Sequence, residues 1–367
     1  MAMAPKIQAE FLLSATELGL LFGAYYWGQT LGALPAGALT DRLGVRLALV
    51  LSLLLLAVGG LLLALSGGLL WAAAGTAVMG LGYSVTNPAT AKGVLNWVPS
   101  GRRATAMGMK QTGVPLGGVL AAGNGVLVTW FDWRILMGAV ALTGVVGALA
   151  MGALGREPGG NRQEVRSLRV PRSLLLLAKD RNVAAIFTSA VPWSMGHANF
   201  ITFLTLFMRD AVRTSQPVAG LILALAQGAS ALGRIAWGHL SDTMLGGARK
   251  PLLVHLCGAA SVFFIALGAI PPGWVVPFLL LAVALGLTVS SYQALQQALT
   301  VEAVRPELAA SAMGLKVLGS SLGGMIGPPL FGLVLDRTGG FACSWGLTGL
   351  MTATGTLLLA LWLTEGR

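Results

Sequence analysis

A few charged side chains fall inside long apolar runs of this sequence, and each of them needs a chemical reason to be there. Lys110 closes the string Ala106-Met-Gly-Met-Lys110, and 206 positions later Lys316 closes Ala312-Met-Gly-Leu-Lys316. The following residues keep register: Gly113, Gly117 and Gly118 match Gly319, Gly323 and Gly324. A lysine ammonium carries three donors and no acceptor, so two lysines facing one space would attract an anion. Two alternatives stand beside that reading. Lys110 lies about seven residues past Arg103, ~10 Å along a helix, so both lysines could snorkel to lipid headgroups. Each could instead meet a carboxylate from a nearby loop.

Other candidates are graded by their surroundings. Lys92 would add positive potential to the same space, but its counterpart at the 206 offset is Ala298, so the repeat does not support it. His197, in Pro192-Trp-Ser-Met-Gly-His-Ala-Asn199, is the one histidine far from a charged turn. It titrates near neutrality and could carry a coupling proton, or it could be a hydrogen-bonded packing residue. Arg234, four residues before Gly238, is expected to snorkel or to brace Asp242. Gln111, Tyr25, Gln29, Asn124, Gln227, Tyr292, Gln293 and Gln296 supply neutral polar groups that would orient a solute or bond neighbouring helices. No Asp or Glu falls deep in an apolar run. The sequence has no phosphate-binding Gly-x-x-x-x-Gly-Lys-Ser/Thr loop and no His-Glu-x-x-His. Its two cysteines, Cys257 and Cys343, lack metal-ligand spacing. No enzyme, metal or cofactor is expected.

The elements that must position these groups are membrane helices. Only 10% of the 367 residues are charged, against about 25% in soluble domains, and 55% are hydrophobic, with mean hydropathy +0.78. The apolar runs fit about eleven spans of ~20 residues. They lie near 16–38, 47–66, 69–97, 104–130, 134–154, 181–208, 216–239, 251–270, 274–300, 308–335 and 341–363. Residues 1–14 read as a loop. A basic stretch, 155–180, separates an N-terminal bundle (1–154) from a C-terminal bundle (181–367). The net charge of +11 would suggest nucleic acid on a soluble chain. Here it follows membrane topology. One face of the proposed bundle collects 15 Lys and Arg and the other 5, with four inside helices, which puts the basic linker and the C-terminus in the cytoplasm.

A charged turn, Gly37-Ala-Leu-Thr-Asp41-Arg42-Leu-Gly44-Val-Arg46, joins the first two spans. Gly238-His-Leu-Ser-Asp242, followed by Arg249-Lys250, repeats it 201 positions later. Gly19 and Gly32 pair with Gly220 and Gly233 at the same offset. The halves hold five helices and six. The span at 181–208 maps ahead of Met1, so the first half is expected to lack its first helix through a truncated start.

The turn motif, its degenerate copy and the two helical halves resemble the major facilitator superfamily of secondary transporters. That resemblance implies an all-α membrane protein of two pseudo-symmetric bundles, with eleven transmembrane helices here against twelve in the family fold. It implies halves that rock about a central site. Gly37, Asp41, Arg42, Gly44, Arg46 and Asp242 would then form a conformational latch, although helix capping for Asp41 and topology alone for the arginines are simpler roles. Thr243 stands where the second copy would have Arg. The family's fifth and eleventh helices, hosts of Lys110 and Lys316, line the central cavity. Val114 interrupts the Gly-Pro pair typical of its proton antiporters. The expected function is secondary transport of a small anionic organic solute across the cytoplasmic membrane, with Lys110, Lys316, Lys92, Gln111 and His197 at the site. Its partners would be that solute, a coupling proton and the lipid bilayer, without nucleic acid. The alternative is a membrane receptor, sensor or non-transporting scaffold derived from a transporter.

Overall fold

A computed structural model describes residues 2–98, 103–154, 177, 179–271, 274–304 and 308–364. Within helices, the side chains of residues 34, 38, 41, 91, 95–96, 103–109, 154 and 309–311 lie outside the description. Most of the basic stretch expected at 155–180 also falls outside it. The described residues form α1 (Ala4–Phe11), α2 (Ala15–Ala64), α3 (Leu69–Trp97), α4 (Arg103–Leu127), α5 (Trp133–Leu154) and α6 (Arg181–Asp210). They continue with α7 (Gln216–Thr243), α8 (Lys250–Ala269), α9 (Val275–Leu287), α10 (Tyr292–Glu302), α11 (Ala309–Thr338) and α12 (Phe341–Trp362). No strand occurs among them.

Helix starts follow local chemistry. Ser14 and Glu17 form a reciprocal capping box at α2, with Ser14 Oγ accepting from the Glu17 N–H at 3.1 Å. The Asp180 carboxylate accepts from the Asn182 and Val183 N–H groups to start α6. The charged turn is tighter than expected. Helical hydrogen bonding runs through residues 15–64, and the reversal rests on Gly44 alone, at φ 79° and ψ 171°. An L side chain disfavours that backbone, so glycine makes the corner possible. The end of the bundle carrying this turn is called the turn face below, and the other end the far face.

Eight described helices are long and apolar enough to cross a membrane, against the eleven expected. The first segment of α2, α4 and α6 are not among the eight. α6 buries Ser189, Ser194, Asn199, Thr202 and Thr205. The span expected at 274–300 is broken into α9 and α10 by Thr288–Ser291. The stretch expected to be a loop contains α1, whose Ala4 and Ile7 are buried. The Pro5 carbonyl accepts from Arg209 at 3.0 Å, and Glu10 pairs with Trp133 and Arg134.

Two close helix crossings join the N-terminal and C-terminal halves. A Cβ on Gly19 of α2 would lie 2.3 Å from the Pro328 carbonyl of α11, and one on Gly332 of α11 would lie 2.2 Å from the Ala15 carbonyl. The other crossing pairs Gly125 of α4 with Gly220 of α7. Small residues allow such backbone contact within a membrane. The matched glycine stripes nevertheless have different fates. On α11, Gly319 and Gly323 are covered by α6, with Phe187 O and Val191 O 2.9 and 2.1 Å from an added Cβ. On α4, a Cβ added at Gly113 or Gly117 would meet no atom of the described residues within 4 Å.

Candidate functional site

The chain has four tyrosines. Tyr25 and Tyr26 lie on α2, Tyr83 on α3 and Tyr292 on α10. Tyr25 stacks edge-on to Tyr26 at 5.3 Å and lies 6.0 Å from Tyr83. This contact depends on the α2–α3 crossing, where a Cβ on Gly80 would meet the Tyr25 carbonyl at 1.8 Å. Across the seam, Gly324 of α11 leaves room for the Tyr26 ring, which an added Cβ would approach to 2.5 Å. Tyr292 packs on Trp193 of α6 at 5.3 Å. Its hydroxyl is buried without a hydrogen-bond partner.

The helix break at Thr288–Ser291 supplies the second feature. A broken helix leaves carbonyls without their usual N–H partners, and inside a membrane these must be satisfied by protein. The Ser290 carbonyl accepts from Ser230 Oγ at 2.9 Å and from Arg234 Nη2 at 3.1 Å. The Leu287 carbonyl accepts from Trp237 Nε1 at 2.6 Å. His197 Nδ1 lies 3.2 Å from Ser290 Oγ.

Arg234 is therefore not at the surface. It is 9% exposed, it does not brace Asp242, and its Nε has no hydrogen-bond partner. Lys316 is 4% exposed. Among the described residues no carboxylate pairs with either cation. Arg234 and Lys316 are thus two buried cations of the C-terminal half, and burying a charge without a partner is costly.

Lys110 lies in the N-terminal half, where its Nζ donates to Asn87 Oδ1 at 3.1 Å. Gln111 of α4 bonds Gln297 of α10 across the halves. Lys110, Asn87, Tyr83 and Gln111 form the polar side of a cavity of about 850 Å³. Its apolar wall includes Leu49, Leu53, Leu56 and Met151, and the open Gly113 and Gly117 also line it. Lys92 points elsewhere, its Nζ lying 3.5 Å from the Thr40 carbonyl beside the turn.

Gly44 makes the corner, Gly37 has open space around it, Arg42 is exposed and Arg46 is partly buried. The Asp41 side chain lies outside the described residues. Asp242 pairs with Arg249 at 2.6 Å, and Arg249 also meets Glu302 at 3.2 Å. Burial opposes the Arg249 charge, but the two carboxylates outweigh it and hold the guanidinium above its ordinary pKa. All three residues belong to the C-terminal half.

Comparison with known proteins places these features in context. The sequence matches the profile of the Major Facilitator Superfamily over residues 1–207 and again over 183–367. It is 25% identical to the hexuronate transporter of Bacillus subtilis over 94% of this chain and 85% of that protein. It is 29% identical to human monocarboxylate transporter 11, over 89% of this chain and 70% of that protein. The fold is similar to a bacterial homologue of the human lysosomal transporter Spinster, crystallised in an inward-facing and occupied conformation. The TM-score is 0.76 at 17% identity, covering 98% of this chain and 90% of that one.

Proposed function

The chain belongs to the Major Facilitator Superfamily, and on that premise we propose that it carries a small organic anion, a carboxylate, across the cytoplasmic membrane by alternating access. One observation carries this reading: Arg234 and Lys316, both in the C-terminal half, are each buried without a carboxylate partner among the described residues. Leaving such charges unpaired in a membrane interior costs several kcal/mol each by order of magnitude. A bound carboxylate would offset that cost, accepting from the guanidinium and the ammonium. Relatives named for hexuronate and monocarboxylate transport, both carboxylates, support the class of solute.

Each half contributes to the site. Arg234, Lys316, Tyr292 and His197 come from the C-terminal half, and Tyr25, Tyr26, Tyr83 and the Lys110–Asn87 pair from the N-terminal half. A solute held between them would link both halves, and their rocking along the α2–α11 and α4–α7 seams would expose it to one side and then the other. The excess of Lys and Arg puts the turn face in the cytoplasm. The 850 Å³ cavity is lined by residues of the N-terminal half, and Lys110 would add its positive charge there.

The test is uptake into proteoliposomes from a panel of hexuronates, short monocarboxylates and their uncharged analogues. Transport of the acids but not the analogues is expected, with R234Q raising the half-saturating concentration about 10- to 100-fold, as expected for a lost charged hydrogen bond. Equal transport of acids and neutral analogues, or an unaltered R234Q, would overturn the anion assignment.

A further inference from the structure

The outermost turn of α11 makes a contact that neither the turn motif nor the central cations account for. Asp336 lies at the far face in the C-terminal half, and its carboxylate caps the first turn of α2 in the N-terminal half. Oδ1 accepts from the Ala15 N–H at 2.9 Å. Oδ2 accepts from the Thr16 N–H at 2.8 Å and from Thr16 Oγ1 at 2.5 Å. The first N–H groups of a helix have no partner within it, and the helix dipole favours an anion there. α2 already has a cap of its own in Ser14, so the carboxylate from the other half is an additional tie.

The surrounding seam is made for contact. Gly332, one turn before Asp336, lets the α11 backbone reach the Ala15 carbonyl. Gly19 does the same against Pro328. Leu18 and Leu21 on α2 are fully buried, and Phe331 is 1% exposed. The Asp336 contact sits at the far end of this seam, where rocking of the halves produces the largest separation.

We infer that Asp336 is a latch that holds the far face closed, an anionic cap supplied by one half to the first helix of the other. Opening the far face requires the carboxylate to leave the α2 N-terminus and be rehydrated. The inference rests on alternating access but not on the identity of the solute, so its test uses none.

The full chain in lipid nanodiscs would carry spin labels at native Cys343, exposed in the first turn of α12, and at Thr129→Cys, exposed beyond the end of α4. Cys257 is fully buried and would be replaced by Ser. In D336A the long-distance component of the label-to-label distribution is expected to grow about tenfold over the unsubstituted residue, the scale of a lost helix cap. D336N keeps the volume but loses the charge, and is expected to move in the same direction by less. Distributions for D336A and D336N that superimpose on that of the Asp336 protein would overturn the latch.

Discussion

Arg234 differs from Lys316 in what it can do with a ligand. A guanidinium presents a planar fork that matches a carboxylate with two parallel bonds, whereas an ammonium is a point charge. One branch of the fork is committed to the Ser290 carbonyl, and Nε is unpaired. R234K should therefore bind the transported acid more weakly despite keeping the charge, with affinity closer to R234Q than to the unsubstituted protein. Equilibrium binding in detergent would measure this apart from transport. K316Q should weaken binding about tenfold or more. K110Q should alter mainly the dependence of uptake on ionic strength, because Lys110 stands at the cavity and is held by the neutral Asn87. Uptake measured from low to high salt would separate the two lysines. Lys316 was readable from its register with Lys110, but Arg234 was misplaced. It lies only four residues from Gly238, yet α7 continues to Thr243, so its Cα is ~13 Å from the helix end at 1.5 Å per residue.

At the scale of elements, Gly117 and Gly323 form an informative pair. Both belong to stripes with the same spacing at matched positions. An added methyl at 323 would meet the Val191 carbonyl at 2.1 Å, whereas one at 117 would meet nothing within 4 Å. G323A should destabilise the protein by roughly 1–3 kcal/mol through overpacking, and G117A should stay within about 0.5 kcal/mol of neutral. Thermal unfolding in a mild detergent would compare them, and equal losses would argue against the difference in covering. The division between α9 and α10 is another element that sequence pattern alone blurred. Thr288, Ser290 and Ser291 are compatible with a membrane helix, because Ser and Thr can bond back to the preceding turn. The break becomes stable here because Ser230, Arg234 and Trp237 of α7 bond the released carbonyls.

At the scale of the molecule, orientation and closure can be tested together. If the turn face is cytoplasmic, a membrane-impermeant maleimide applied to intact cells should label Cys343 and leave the fully buried Cys257 unreacted. An Arg42→Cys reporter in a C343S background should react only after the membrane is permeabilised. The opposite pattern would invert the orientation drawn from the Lys and Arg count. The sequence by itself determined the membrane class, the charged turn and the register of the paired lysines and glycines. These depend on composition and on short spacings along single helices, which a linear pattern records. The tertiary structure decided which charges meet. It brought Arg234 to the Ser290 carbonyl, turned Lys92 toward Thr40, paired Asp242 with Arg249, and set Asp336 on the first turn of α2. Those contacts join residues from separate helices, up to 321 positions apart. Their formation depends on how closely glycines let the helices approach and on which polar groups remain to be satisfied once lipid excludes water.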